Sequence, residues 1–100
     1  MHARSACNVK IRLRGYITVP DADLNAVRAA LPEHIRRTRD EAGCLCFDVT
    51  TDPSDPHRFD VYEEFVDRLA FERHQTRVRN SEWGRISANV SRHYEIDEFE

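Results

Sequence analysis

The sequence predicts an α+β domain of the ferredoxin-like, split βαβ kind: a four-stranded antiparallel sheet with helices on one face. Three observations support this fold class. Apolar residues recur with period two in four stretches and at three- and four-residue spacing in the intervening longer ones. The order is strand, helix, strand, strand, helix, strand. Turn and capping residues separate the stretches and so give each one defined ends.

The first strand and the first helix occupy the N-terminal part of the chain. Residues 1–7 show no periodicity, and we expect them to form a loose arm. Apolar and polar residues alternate over Val9–Ile17, as is typical of a half-buried strand. The helix that follows has one apolar face. We expect Asp21 to cap it, Pro32 to kink or break it, and Gly43 to end it.

The second and third strands form a hairpin over residues 44–65, which turns at the Asp-Pro-Ser-Asp-Pro sequence of residues 52–56. Strict alternation assigns Leu45 to the apolar face of the second strand. It assigns Cys44 and Cys46 together to the other face, where we expect buried free thiols rather than a disulfide.

The third strand carries a carboxylate, Glu63, in an otherwise apolar row. Because a buried carboxylate needs a partner, we expect it to be hydrogen-bonded or ion-paired, with Arg12 or Arg14 of the first strand as candidates. A direct role in chemistry is the alternative interpretation.

The second helix and the last strand complete the fold. Asp67 is the expected N-cap of this helix, and His74 lies in the middle of its apolar stripe. A short third helix carries Trp83. The last strand is expected over residues 89–96, and the acidic residues 97–100 are expected to form a solvated tail.

Length and composition limit the class of protein. One hundred residues predict a single domain spanning residues 1–100. The 18 acidic and 15 basic residues give a net charge of −3, which argues against nucleic acid as a partner. No apolar run approaches the roughly 20 residues of a membrane span, and the N-terminus lacks the apolar core of a signal peptide. We therefore expect a cytoplasmic protein that does not bind membranes.

Motifs in this order resemble those of the antibiotic biosynthesis monooxygenase family. They are Glu-x-Gly-Cys-Leu-x-Phe, the Asp-Pro-x-Asp-Pro loop, Tyr-Glu-x-aromatic and Ala-Phe-x-x-His, at residues 41–47, 52–56, 62–65 and 70–74. The resemblance runs over about residues 9–96 and implies a dimeric α+β barrel, in which the uncovered sheets of two chains meet. It also implies oxidation of electron-rich aromatics by O2 with no flavin, haem or metal.

We expect a small pocket between the sheet and the second and third helices. The candidate catalytic residues are His74, Trp83 and Glu63, and the candidate substrate-binding residues are Phe65, Phe71, Tyr94 and Asn8. Histidine can take a proton near neutral pH, since its ordinary pKa is about 6.5. Each residue also has a structural interpretation: His74 as a bonded buried histidine, Trp83 as core packing. His34 is expected at an edge of the first helix.

Other chemistries find little support in the sequence. The five histidines show no His-x-x-x-His spacing, and no phosphate-binding glycine loop or dinucleotide fingerprint is present, so neither metal nor cofactor is predicted. Haem-degrading relatives have a tryptophan directly after the third strand. The chain has Phe65 at that position, which argues against haem degradation.

The leading hypothesis is a cofactor-independent monooxygenase that acts on an aromatic or quinol-type small molecule. Two alternatives stay open: a non-catalytic dimeric module that binds a small ligand in the same pocket, and an isomerase-like relative of the same fold.

Overall fold

The structure, a computed structural model, describes residues 9–100 and has the predicted α+β architecture. The strands are β1 (Lys10–Thr18), β2 (Cys44–Asp52), β3 (Asp55–Phe65) and β4 (Ser91–Phe99), and the helices are α1 (Leu24–Arg39), α2 (Arg68–Arg79) and α3 (Glu82–Ile86). All neighbouring strands are antiparallel, in the order β2-β3-β1-β4. The predicted arm and Asn8 lie outside the described residues. Within residues 9–100, no helix is long and apolar enough to span a membrane.

The core lies between the helices and one face of the sheet. Its members are alternate residues of the central strands together with apolar residues of α1 and α2: Ile11, Leu13, Ile17, Phe59, Val61, Phe65, Val27, Ala70 and Phe71. Burial of a large apolar side chain contributes about 1.5–3 kcal/mol, so this row fixes which face the helices cover. Glu63 belongs to the same row, between Val61 and Phe65.

Two glycines allow close approaches that shape the sheet. A Cβ at Gly15 would lie 1.9 Å from the carbonyl oxygen of His93 in β4, so only glycine allows the two strands to approach this closely. Gly43 has a φ of +90°, and a Cβ there would lie 2.6 Å from that of Ala70. Gly43 therefore provides the turn into β2, although α1 already ends at Arg39.

The predicted N-cap of α1 is wrong, and the break at Pro32 does not occur. Asp21 lies in a 3-10 turn before the helix, and its carboxylate is 3.0 Å from Nε2 of His57 instead of capping α1. The helix also continues through Pro32 without a break. Val27 and His34, on either side of the proline, are both buried, and this packing holds the two halves of the helix as one element.

A β-bulge corrects the predicted faces of β2. Cys44 pairs with Phe65 and Cys46 with Glu64, so Leu45 is the extra residue and is 50% exposed. The bulge turns Cys44 towards the core, and the two cysteines face opposite sides of the sheet instead of the same side. Burial raises the pKa of the Cys44 thiol to about 11, so it stays protonated at neutral pH.

Side-chain contacts stabilise the start of α2 and the end of β4. The carboxylate of Asp67 accepts a hydrogen bond from the backbone N–H of Ala70 at 2.8 Å, which confirms the predicted cap of α2. The predicted end of the last strand at residue 96 is wrong, because β4 continues to Phe99 and includes most of the expected tail. Asp97 accepts two hydrogen bonds from Arg12, and the Phe99 ring lies beneath the Arg12 guanidinium, so these residues extend the strand.

We call the sheet face that no helix covers within residues 9–100 the open face. Several of its charged side chains have side-chain partners on the same face. Arg12 and Asp97 form an ion pair at 2.6 Å, and the Tyr62 hydroxyl donates a hydrogen bond to Glu64. The open face is therefore polar, and Arg12, Asp97 and Glu64 each keep a partner there.

Candidate functional site

A small pocket lies between the helix-covered face of the sheet and helices α2 and α3. We call it the inner pocket; its volume is about 220 Å³. Leu13 and Ile17 of β1 and Val78 of α2 form its apolar walls. Arg92 and Tyr94 also line it and are solvent-exposed, so the inner pocket opens at the β4 edge of the sheet.

The inner pocket brings together four of the predicted site residues: Glu63, His74, Trp83 and Tyr94. The structure does not bring Phe65 and Phe71 to it. These two rings are buried in the core and contact each other edge to face, with their centroids 5.6 Å apart. Asn8 lies outside the described residues.

His74 is held by a carboxylate that sequence reasoning missed. Its Nδ1 lies 3.0 Å and 3.2 Å from the two carboxylate oxygens of Glu41. Because an ionised carboxylate only accepts, Nδ1 carries the proton and Nε2 presents a lone pair. Arg77 donates to Glu41 through Nε and to Thr38 Oγ1 through Nη2 at 3.0 Å, which fixes the carboxylate in turn. Glu41 is the first residue of the Glu-x-Gly-Cys motif, and that motif was the available signal.

Glu63 faces the opposite nitrogen of the same imidazole. Its Oε1 is 3.9 Å from His74 Nε2 and has no hydrogen-bond partner in the described part of the chain. The predicted pairing with Arg12 or Arg14 is wrong, because those side chains alternate to the open face. Glu63 is only 6% exposed, and this burial, together with the nearby charge of Glu41, raises its pKa to about 8. It is therefore a neutral hydrogen-bond donor at pH 7.

The two groups complement each other chemically. Burial lowers the pKa of His74, and the bond to Glu41 opposes that effect. The imidazole is thus neutral at pH 7, and it can take a proton from a ligand hydroxyl while Glu63 donates to the resulting oxyanion. Residues 9–100 contain no group of three His, Cys, Asp or Glu side chains placed to hold a metal ion.

Tyr94 adds a further donor at the mouth. Burial and the nearby Glu63 raise the pKa of its phenol to about 12, even though 36% of the residue remains exposed. The hydroxyl therefore stays protonated at neutral pH and can donate to a bound oxygen atom.

A stacked pair, His34 and Trp83, closes the inner pocket on the helix side. The two rings are nearly parallel, with centroids 4.5 Å apart and an angle of 7° between their planes. His34 is only 7% exposed, so its predicted edge position is wrong, and burial lowers its pKa to about 3. Helical periodicity identified its side of α1 but could not show that α3 would cover it.

The same pair borders a second cavity. We call it the outer cleft; it lies between α1 and the α2–α3 segment, has a volume of about 360 Å³, and is bordered by Arg37 and Arg77 as well as the stacked rings. His34 and Trp83 line both cavities, so they form the wall between the inner pocket and the outer cleft.

Comparisons with known proteins agree with this architecture. The model of the family described as antibiotic biosynthesis monooxygenase matches residues 11–86. A solved Pseudomonas aeruginosa protein, PA3566, is 28% identical with a TM-score of 0.70, and the match covers 93% of this chain and 94% of that one. A conserved Bacteroides thetaiotaomicron protein of unknown function is 20% identical with a TM-score of 0.77, over 92% and 99% of the two chains. No functionally curated protein matches the chain.

A further solved structure is described as an antibiotic biosynthesis monooxygenase. It is 23% identical to the chain with a TM-score of 0.67, and the match covers 92% of this chain and 96% of that one. At this identity the likeness shows the shared fold.

Proposed function

The chain belongs to the antibiotic biosynthesis monooxygenase family, and on that premise we propose that it oxidises an electron-rich aromatic or quinol-type small molecule with O2, without a bound cofactor. One observation supports this most strongly. His74 is fixed through Nδ1 by Glu41, and its Nε2 faces a small pocket beside Glu63, whose Oε1 has no hydrogen-bond partner within residues 9–100. A base and a neutral hydrogen-bond donor that both face the same position can ionise a phenolic hydroxyl and stabilise the phenolate.

The reaction balances without an external reductant. His74 takes the hydroxyl proton of a hydroquinone, and the phenolate passes one electron to O2. The two radicals combine at a ring carbon, and the protonated His74 returns its proton to the peroxide anion to give a hydroperoxide. Loss of the C–H proton and of hydroxide, which together leave as water, converts that carbon to a carbonyl. One oxygen atom enters the product, and the substrate supplies the electrons that reduce the other.

The remaining residues hold and orient the substrate in this proposal. Glu41 is a positioning residue, because it acts through the tautomer and orientation of His74. Glu63 and Tyr94 donate hydrogen bonds to the developing oxyanion, and Trp83 forms a wall of the pocket. A positioned general base contributes about 10²–10⁴-fold to a rate, so most of the proton-transfer effect is assigned to His74.

We further propose that the chain forms a homodimer through the open face, as the family resemblance implies. A sheet face left uncovered by helices in the described residues is available to a second copy. Light scattering of purified protein at micromolar concentration should give the mass of two chains. A particle of monomer mass would contradict this proposal without affecting the chemistry assigned to the inner pocket.

Oxygen uptake by the purified protein tests the activity. A panel of hydroquinones, naphthols and anthrones is supplied without added cofactor, and autoxidation is subtracted. We expect uptake above background that His74→Gln reduces by at least about 100-fold. His57→Gln is the matched control, since His57 contacts Asp21 far from the inner pocket, and it should retain wild-type uptake.

The same experiment separates the alternatives. A non-catalytic binding module would show no uptake with any panel member while still binding one of them. An isomerase-like relative would change a substrate without consuming oxygen. Equal uptake by the wild type and the folded His74→Gln variant would contradict the role proposed for His74.

A further inference from the structure

The inner pocket has the volume of a site for one aromatic ring. An apolar cavity of about 150 Å³ holds a single benzene, whereas pockets for larger ligands begin near 300 Å³. At about 220 Å³, the inner pocket accommodates one ring with small substituents. A second ring fused beside the first on the side of the helices would extend towards the outer cleft, and the stacked rings of His34 and Trp83 stand in the way.

The buried end of the inner pocket is prepared for a hydroxyl group. Glu63 Oε1 and His74 Nε2 are 3.9 Å apart, too far to bond each other. One ligand oxygen placed between them can contact both at hydrogen-bond distance. Glu63 is more than nine-tenths buried, and its Oε1 has no partner within residues 9–100, so an occupant of this position satisfies an otherwise orphaned polar atom.

The mouth of the inner pocket carries a positive charge. Arg92 Nη2 donates to the carbonyl oxygen of Ser87 at 3.2 Å and to its Oγ at 3.1 Å. Both acceptors are neutral, and no carboxylate in the described chain lies within ion-pair distance of Arg92. A guanidinium anchored through Nη2 keeps Nε, Nη1 and its positive charge free for a ligand, so it suits a carboxylate, which it can bind through a charge-assisted hydrogen bond.

We propose that the inner pocket selects a single aromatic ring that carries a hydroxyl group at its buried end and a carboxylate at its mouth. The hydroxyl lies between Glu63 and His74, and the carboxylate pairs with Arg92. The stacked pair of His34 and Trp83 excludes a second fused ring. This inference rests on the proposed function only in that it assigns a substrate class to the same pocket, and binding itself requires no oxygen.

Calorimetric titration of the full chain with redox-stable probes tests the selection. The probes are 4-hydroxybenzoate, phenol and 4-hydroxy-1-naphthoate, whose second ring is fused beside the axis from hydroxyl to carboxylate. We expect 4-hydroxybenzoate to bind at least about tenfold more tightly than phenol, because phenol lacks the charge-assisted contact with Arg92. The naphthoate should show no binding at the same concentrations, because its second ring meets the stacked pair.

Two substitutions separate charge from size. Arg92→Gln should weaken binding of 4-hydroxybenzoate by about tenfold and leave phenol unchanged. Arg28→Gln is the control, because it removes the same charge from the exposed surface of α1 and should leave both Kd values unchanged. Trp83→Ala should admit the naphthoate, and Trp83→Phe provides a smaller enlargement if the alanine variant does not fold.

Three results would overturn this inference. They are absence of 4-hydroxybenzoate binding at millimolar concentration, naphthoate binding to the wild type as tight as that of 4-hydroxybenzoate, and equal Kd values for the wild type and Arg92→Gln. Failure of the proposed function gives a different result. Selective binding of 4-hydroxybenzoate without oxygen uptake from any phenol or quinol would contradict the proposed oxidation and support the proposed ligand class. Oxygen uptake with anthrones alone would support the oxidation and contradict the single-ring ligand class.

Discussion

The two faces of the sheet differ in the environment of their titratable side chains. On the open face Glu64 accepts a hydrogen bond from Tyr62, and Arg12 is paired with Asp97. On the helix-covered face the adjacent Glu63 is buried without a partner in the described residues, and its neighbour His74 is buried as well. One residue along β3 therefore separates a paired, partly solvated carboxylate from a desolvated acid.

This difference indicates which face of so small a domain can hold a site for acid–base chemistry. A titratable group that stays hydrated or keeps a partner of opposite charge stays charged at neutral pH, whereas burial without such a partner shifts its pKa towards the neutral form. The open face has more charged residues, yet the shifts that favour a neutral acid next to a neutral base occur on the covered face, at Glu63 and His74. Such shifts in a cleft are typical of functional sites.

The largest effect is expected from Glu63→Gln. The pKa of this carboxyl is about 8 in the folded chain and about 4.5 when unfolded, so the folded state holds a proton that the unfolded state has lost between these pH values. Wild-type stability therefore falls as pH rises through this window, by on the order of 5 kcal/mol. Urea unfolding should show the stability advantage of Glu63→Gln over the wild type growing by that amount between pH 4.5 and pH 8.

Glu64→Gln is the matched control on the open face. It should retain the pH dependence of the wild type, because Glu63 is unchanged in it. A Glu63→Gln variant whose stability advantage stays constant with pH would mean that Glu63 is solvated in the folded protein. The contrast between the two faces would then fail.

Glu41→Gln should lower turnover by about 10- to 100-fold, the range typical of residues that orient a functional group. The carboxylate of Glu41 raises the pKa of His74, so its removal should move the acidic limb of the pH–rate profile to lower pH. Glu72→Gln, on the exposed side of α2, should change neither quantity. A slower variant with an unmoved acidic limb would show that Glu41 acts only on structure.

Features that depend on local sequence could be predicted, whereas those that depend on a distant strand or helix could not. Period-two alternation identified β1 and β3 and placed Glu63 in the apolar row, because side-chain direction in a strand depends only on position. The bulge at Leu45 was invisible, since an extra residue is recognised only against its partner strand. Glu41 and His34 were missed because their roles depend on α2 and α3, which follow much later in the chain.

His34→Phe should change the pH dependence of stability moderately, and in the opposite direction to Glu63→Gln. Burial lowers the pKa of His34 to about 3, so the unfolded chain takes up a proton below pH 6.5 that the folded chain does not. Wild-type stability is therefore lost as pH falls through this window. The stability advantage of His34→Phe should be larger at about pH 5 than at about pH 7.5 by roughly 2 kcal/mol.

His93→Gln is the corresponding control on the open face, where His93 stacks on Tyr16. It should keep the acid sensitivity of the wild type. If His34→Phe loses stability in acid as steeply as the wild type does, His34 is solvated and the wall between the two cavities is open.

The smallest effect is expected from Asp97→Asn on the open face. The ion pair with Arg12 is partly exposed, with 26% and 42% of the Arg12 and Asp97 side chains accessible, so its loss should lower the free energy of unfolding by about 0.2–1 kcal/mol. Urea unfolding at low protein concentration measures this value. A cost above about 3 kcal/mol would indicate a pair buried against a second chain.

The most direct test is an NMR titration of the protein with ¹³C-labelled glutamate side chains. The Glu63 carboxyl signal, assigned by its absence from Glu63→Gln, should titrate with a midpoint near pH 8, as expected for a desolvated acid facing His74. A midpoint near its ordinary value of 4.5 would contradict the account, because Glu63 would then be an ordinary solvated carboxylate and the inner pocket would lack its neutral donor.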